Sequence, residues 1–250
     1  MHLRNRVTSL DKLRGAMIFE FFSPGIPIIL KNAGCEFIIF DMEHGGLSLE
    51  QFKVLATISN SNQISPLIRI PEVSYNYVAR ALDLGASGIM APMVNTAEEA
   101  MKIVKSSKYP PEGIRGAGFG FAHDNYNNQN PLRYIKKANN ELINIIQIES
   151  KFGLENVESI AAINGVDCLW VGHFDLTNFL GIPGDFTSSI YLDAIKRVVE
   201  AGKINKKSLG IMVNNNDELE MYSELGFNMI AVGTEMNILS RSISQIINKL

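Results

Sequence analysis

Apolar residues along this chain gather in short runs, separated by longer stretches in which they recur every three or four positions. The runs are AMIFEFF (16–22), EFIIFD (36–41), SPLIRI (65–70), SGIMA (87–91), LINIIQIE (142–149), DCLWVG (167–172), SLGIMV (208–213) and NMIAVG (228–233). Their length and apolar continuity predict buried strands. Between them, LSLEQFKVLATISN opens with Ser48 as a candidate N-cap, and NTAEEAMKIVKSS sets Thr96 and Glu99 at capping-box spacing. GLENVESIAAING and NNNDELEMYSELGF repeat the helical pattern, with glycine marking the stop.

Helices between strands predict parallel neighbours and a sheet covered by helices. Eight such units in 250 residues match the size and count of a (β/α)8 TIM barrel, an α/β fold taking residues 1–250 as a single domain. A doubly wound open sheet competes, but it usually carries fewer strands, and no glycine-rich first turn is present here. Segment 109–141, rich in Gly, Asn and aromatic residues, departs from the repeat. It is expected to form a long loop over the barrel mouth, then a helix.

Composition narrows the class. With 46% hydrophobic and 20% charged residues, a chain of this length buries a large core without disulfide staples. The net charge of −3 comes from 23 basic and 26 acidic residues. No basic stripe suggests nucleic acid; KINKK (203–207) reads as a solvated helix end. Cys35 and Cys168 flank strand-like runs and lack Cys-x-x-Cys spacing, so buried reduced thiols are expected. No hydrophobic signal core opens the chain and no run approaches 18 apolar residues. The expectation is a cytoplasmic protein with small-molecule partners and neither membrane nor nucleic-acid binding.

In a barrel of this type chemistry collects at the C-terminal strand ends. That selects Asp41, Glu43 and His44 after the second strand, Arg69 on the third, Gln147 and Glu149 on the fifth, and Asp175 after the sixth, with Asn214 and Thr234 as weaker signals. Neighbouring strands lie roughly 4.8 Å apart, so Glu149 and Asp175 can share one cation, and an oxygen donor set suits Mg²⁺ or Mn²⁺. Each acid alone reads equally well as an N-cap. Arg69, in an otherwise apolar strand, either pairs with Asp41 or Glu43 or aims its charge at a developing oxyanion. His44 is an ordinary turn histidine or a general base, with Asp41 as its orienting partner and Gly45 and Gly46 leaving room for substrate. Lys151 is the sole lysine near a strand end and reads as a helix-start or solvated residue; no Gly-x-Ser-x-Gly elbow occurs.

The stretches DMEHG, LIRIP, ALDLGASGIMAPMVNTAEEA, YPPEGIRGAGFG, QIESKFGLENVESIAAINGVDCLWVGHFDLTNFLGIPG and ELGFNMIAVGTE lie in order over nearly the whole chain. Together they resemble the metal-dependent hydroxy-2-oxo acid aldolases, the family of 4-hydroxy-2-oxoheptanedioate and 2-dehydro-3-deoxyglucarate aldolases in the phosphoenolpyruvate/pyruvate barrel superfamily. The resemblance implies reversible cleavage of a 4-hydroxy-2-oxo acid to pyruvate and an aldehyde. It implies Glu149 and Asp175 as ligands of a divalent cation (Mg²⁺ or Mn²⁺, with Co²⁺ a third candidate), His44 as base and Arg69 as enolate stabiliser. Asp83, otherwise a helix-surface acid, matches an aspartate that raises the histidine's basicity from a neighbouring subunit. Gln147, Gly172 and Phe174 match positions that hold the pyruvyl group, alongside Asp175. The family's usual assembly implies a homo-oligomer, a hexamer built as a trimer of dimers, with the C-terminal helix packing on a neighbour.

Many members carry Gly-Pro-x-Asp where this chain has Gly172-His173-Phe174-Asp175. A backbone contact survives that change, but the bulkier side chains bear on which substrate fits. The alternatives are a citrate-lyase-like enzyme cleaving a coenzyme A thioester, and a non-catalytic metabolite-binding barrel. The first should need basic or adenine-stacking residues at the mouth, and segment 109–141 offers few. The second should lack one of His44, Arg69, Glu149 or Asp175, and all four are present.

Overall fold

In the computed structural model, which describes residues 2–127 and 130–249, eight parallel strands close into a barrel in sequence order. They are β1 (Leu13–Ile18), β2 (Phe37–Asp41), β3 (Ser65–Arg69), β4 (Gly88–Ala91), β5 (Ile143–Ile148), β6 (Cys168–Val171), β7 (Ser208–Val213) and β8 (Met229–Val232). Pairing of β1 with β8, from Leu13↔Met229 to Ala16↔Val232, completes the ring. The helices are α1 (Leu3–Thr8), α2 (Ile26–Asn32), α3 (Leu49–Ser61), α4 (Tyr75–Asp83), α5 (Ala97–Ser107), α6 (Pro131–Glu141), α7 (Lys151–Glu155), α8 (Val157–Ala161), α9 (His173–Phe179), α10 (Ser189–Ile204), α11 (Asn216–Leu225) and α12 (Glu235–Ile247). Ser48 and Thr96 both form complete capping boxes, with Gln51 and Glu99 returning the bond to the cap. None of these helices is long and apolar enough to cross a membrane.

Two apolar layers follow from the period-2 alternation of the strands. Leu13, Met17, Phe37, Ile39, Leu67, Met90, Ile143, Ile145, Cys168, Trp170, Met229 and Ala231 point inward and fill the barrel, while Leu3 and Val7 of α1 close its N-terminal end. Ile18, Ile38, Phe40, Ile68, Ile89 and Leu169 point outward under the helices. Cys35 and Cys168 are unpaired, the first half-buried and the second buried, where desolvation holds its thiol well above its ordinary value.

Three expectations need correction. The first strand spans Leu13–Ile18, not 16–22. Register with β2 and β8 starts earlier, and the N–H groups of Phe19, Glu20 and Phe21 turn away from the sheet to the Glu235 carboxylate. The helix expected in GLENVESIAAING breaks at Asn156 into α7 and α8. Segment 109–141 does not cover the mouth of its own barrel. Because α5 runs back from the mouth, the segment begins at the N-terminal face, where Arg115 and His123 bond Asp83 at the end of α4 and α6 leads into β5. Residues 128 and 129 of that segment lie outside the described residues.

Candidate active site

The inward column of each strand changes character at its C-terminal end, from aliphatic and aromatic to charged. Continuing Phe37 and Ile39 by two gives Asp41, and continuing Leu67 gives Arg69; the two are direct partners across β2 and β3. In β5 the same step runs through Ile143 and Ile145 to Gln147, then to Glu149 just past the strand. Asp175 comes from the first turn of α9, after Trp170 and Gly172 on the inward column of β6. With Met17, Phe19, His44, Val171, His173, Phe174 and Met212, the residues Arg69, Gln147, Trp170, Gly172 and Asp175 line a cavity of about 120 Å³.

Arg69 is nearly fully buried at 5% exposure, and its three nitrogens divide their work. Nε donates to Asp41, Nη1 lies 3.0 Å from Glu43 Oε2, and Nη2 has no protein partner among the described residues. The guanidinium also lies 5.5 Å from the centre of the Phe19 ring, within cation–π range. Asp41 serves the turn that follows it: its carboxylate accepts the N–H groups of Glu43, His44 and Gly45 at 3.1, 2.8 and 2.9 Å. Burial would raise this carboxyl, but Arg69 and those N–H groups hold it below its ordinary value. Asp41 therefore fixes the backbone of His44, whereas Glu43 faces the imidazole, with 3.8 Å between Oε2 and Nε2. The imidazole stands at the open end, 58% exposed.

Across the mouth, Glu149 is 1% exposed. Its Oε1 accepts the N–H of Met93 at 2.6 Å, and Oε2 accepts from Gln147 Nε2. Met93 adopts a left-handed backbone, φ 51°, to present that N–H. Burial, reinforced by the negative charges of Glu43 and Asp175, pushes the Glu149 carboxyl up to about 7. Burial likewise raises Glu43. Glu43 keeps Arg69 as its counter-charge, but Glu149 has no ion-pair partner among the described residues, which is the condition a cation relieves.

The local chemistry fits a divalent ion. Gln147 Oε1 is buried without a partner, and a side chain at Gly172 would collide with the Glu149 carboxylate and come within 2.7 Å of Gln147 Nε2. Among the described residues no group of three or more His, Cys, Asp or Glu side chains is arranged to hold a metal. A cation here would draw on Glu149 and Asp175, with its other positions open to water or substrate oxygens, a pattern that suits Mg²⁺ or Mn²⁺.

Of the residues singled out from the sequence, Arg69, His44, Gln147, Gly172, Phe174 and Asp175 line one cavity, with Asp41 and Glu149 directly behind it. Asp83 stands apart, at the end of α4 on the opposite face, paired with Arg115. Lys151 is the first residue of α7, capped by Ser150. Phe19, Met17, Trp170, Met212 and the role of Glu43 went unread, although alternation within β1, β6 and β7 turns Met17, Trp170 and Met212 inward, and one step past the end of β1 does the same for Phe19. His173 is buried against Phe174 and Phe186, with ring centres 4.6 and 5.2 Å away, and desolvation lowers it to about 4, so it joins this wall as a neutral ring.

The profile of the HpcH/HpaI aldolase/citrate lyase family matches residues 21–242. Hydroxypyruvate/pyruvate aldolase of Deinococcus radiodurans is 35% identical over 223 residues, covering 86% of this chain and 77% of that protein. 5-keto-4-deoxy-D-glucarate aldolase of Shigella boydii is 31% identical over 217 residues, covering 87% and 83%. The crystal structure of an HpcH/HpaI aldolase from Desulfitobacterium hafniense superposes with a TM-score of 0.95 at 28% identity, covering 100% of this chain and 96% of that one.

Proposed function

The chain belongs to the HpcH/HpaI aldolase/citrate lyase family, and from that premise we propose that it is a divalent-metal-dependent aldolase, reversibly cleaving a 4-hydroxy-2-oxo acid to pyruvate and an aldehyde. One observation carries the reading: a buried arginine with a free nitrogen and an uncompensated buried carboxylate meet at the same small cavity, beside an exposed histidine. Glu149 and Asp175 would hold the cation, which when bound would supply Lewis-acid polarisation of the oxo acid. Gln147 and the backbone at Gly172 and Phe174 orient the pyruvyl end. His44 takes the proton of the 4-hydroxyl as the C3–C4 bond breaks and the aldehyde departs. Arg69 donates from Nη2 to the enolate oxygen left behind. Protonation of the enolate at C3, by water or by the proton His44 has taken, gives pyruvate and closes the proton balance.

The working form is a homo-oligomer, in keeping with a hexamer. This is supported by α12, none of whose residues is buried and on which Ile238, Leu239, Ile243, Ile246 and Ile247 are all exposed. Asp83, on the far face of its own barrel, reaches a His44 only from a neighbouring copy.

A panel of 4-hydroxy-2-oxo acids with different aldehyde portions tests the activity. Pyruvate release is expected with Mg²⁺, Mn²⁺ or Co²⁺, lost on adding EDTA and restored by excess metal. Absence of metal-dependent release across the panel sinks the reading and leaves a binding barrel.

Metal affinity should also follow Glu149. The cation binds the carboxylate, so apparent affinity falls about tenfold per pH unit below the Glu149 value of about 7. The rise in Tm on adding Mn²⁺ is expected to be small at pH 6 and to grow through pH 8. A rise that is flat over this range is incompatible with Glu149 as a ligand.

A further inference from the structure

A single carboxylate oxygen, Glu235 Oε1, accepts three consecutive backbone N–H groups: Phe19 at 3.0 Å, Glu20 at 2.6 Å and Phe21 at 2.9 Å. These follow immediately on Ile18, the last residue of β1 to pair in the sheet. Three converging N–H groups form an anion-binding concavity, and bonds from it to a carboxylate are charge-assisted. Glu235 thus takes over as acceptor where strand pairing stops. It is the first residue of α12, and no role in the chemistry above falls to it.

What the latch holds is the wall of the site. Phe19 lines the cavity together with Trp170 and Arg69, and its ring lies over the Arg69 guanidinium. On its other side the Phe19 carbonyl presses against Gly45, where a side chain would collide with it and come within 2.9 Å of the Asp41 carbonyl. The main chain at Phe19 is therefore clamped between Glu235 and the His44 turn, which sets where the ring can point. A ring over Arg69 keeps water off a charge whose strength depends on a dry surround.

We propose that Glu235 is a positioning residue for the aldolase reaction: by latching the main chain of residues 19–21 it holds Phe19 over Arg69 and keeps that arginine effective toward the enolate. The inference rests on the aldolase reading and concerns kcat more than substrate binding. Glutamine at 235 keeps an oxygen for the same three N–H groups, whereas alanine leaves them without an acceptor.

The test is a double-mutant cycle in the full-length chain, with the preferred hydroxy-oxo acid and saturating Mn²⁺. Glu235→Ala is expected to lower kcat about tenfold or more with a smaller change in KM, and Phe19→Ala to do the same. Because both act through one ring, the double variant should be no worse than either single one. Glu235→Gln should restore most of the loss. Wild-type kcat in Glu235→Ala, multiplying effects in the double variant, or glutamine as damaging as alanine each overturns the proposal. Should Glu235→Ala not fold, Phe19→Ala decides, and wild-type kcat there overturns it.

A readout without turnover separates the two hypotheses. Trp170, the only tryptophan, shares the cavity with Phe19. Its quenching by acrylamide should rise in Glu235→Ala and not in Glu235→Gln, and unchanged quenching in the alanine variant counts against the latch. A wild-type chain that releases no pyruvate refutes the aldolase reading, and this fluorescence comparison still decides whether Glu235 positions the wall.

Discussion

Arg69→Ala is expected to lower turnover by about 10²–10³-fold, the usual effect of removing one group that stabilises a developing oxyanion, and to destabilise the fold as well. The second effect follows from what the arginine leaves behind. Asp41 is fully buried and Glu43 is mostly so, and Arg69 is the cation paired with both. Removing one partner of a buried ion pair costs about 3–5 kcal/mol, because the other charge stays in a poor solvent. Arg69→Lys separates the two losses. One ammonium recovers part of the pairing but cannot serve Asp41, Glu43 and substrate at once, as a planar guanidinium can. Lysine should therefore regain stability without regaining rate. Urea unfolding and steady-state kinetics at a temperature where all three proteins are folded check this. Wild-type turnover in either variant removes Arg69 from the reaction.

That arginine also marks how far the sequence could be read. Apolar alternation carries the barrel because every strand obeys it, and two residues further it turns the same column into Asp41, Arg69, Gln147 and Glu149. The convergence of distant strand ends was legible for that reason. The end of β1 was not, since the apolar run continues through Phe19–Phe22 while the backbone leaves the sheet for Glu235, more than two hundred residues away. No local signal announces such a partner. Segment 109–141 looked like a lid by composition, yet its position depends on counting helices: α5 has already carried the chain back to the closed end. The division between Asp41 and Glu43 depends on a turn in which Asp41 bonds three following N–H groups, a habit of aspartate that only coordinates could assign here. Asp83 entered the candidate set through resemblance alone, and within one chain it lies on the face opposite the cavity.

Glu149→Gln is expected to abolish metal-dependent turnover, by at least about a thousandfold, while leaving a folded and more stable protein. The amide has nearly the shape of the acid, so its oxygen can keep the bond from the Met93 N–H. Its new N–H₂ group would face Gln147 Nε2, but Gln147 Oε1 is a buried acceptor without a partner, and turning that amide over restores a donor–acceptor pair. The stability change has a definite sign. Glu149 is raised from about 4.5 unfolded to about 7 folded. A raised carboxyl gives the fold an advantage that is complete below pH 4.5 and lost as pH climbs through 7. Metal-free wild-type protein at pH 8 therefore bears an ionisation cost that the glutamine variant does not, on the order of 3 kcal/mol at 1.36 kcal/mol per pH unit. At pH 5 that advantage of the variant should have nearly vanished. Adding Mn²⁺ at pH 8 should raise the Tm of the wild type and leave the variant unmoved, so the order of the two melting curves draws together or reverses. Turnover within tenfold of wild type would eliminate Glu149 as a ligand. A metal-free variant less stable than wild type at pH 8 would refute instead the argument that this acid is buried without a counter-charge.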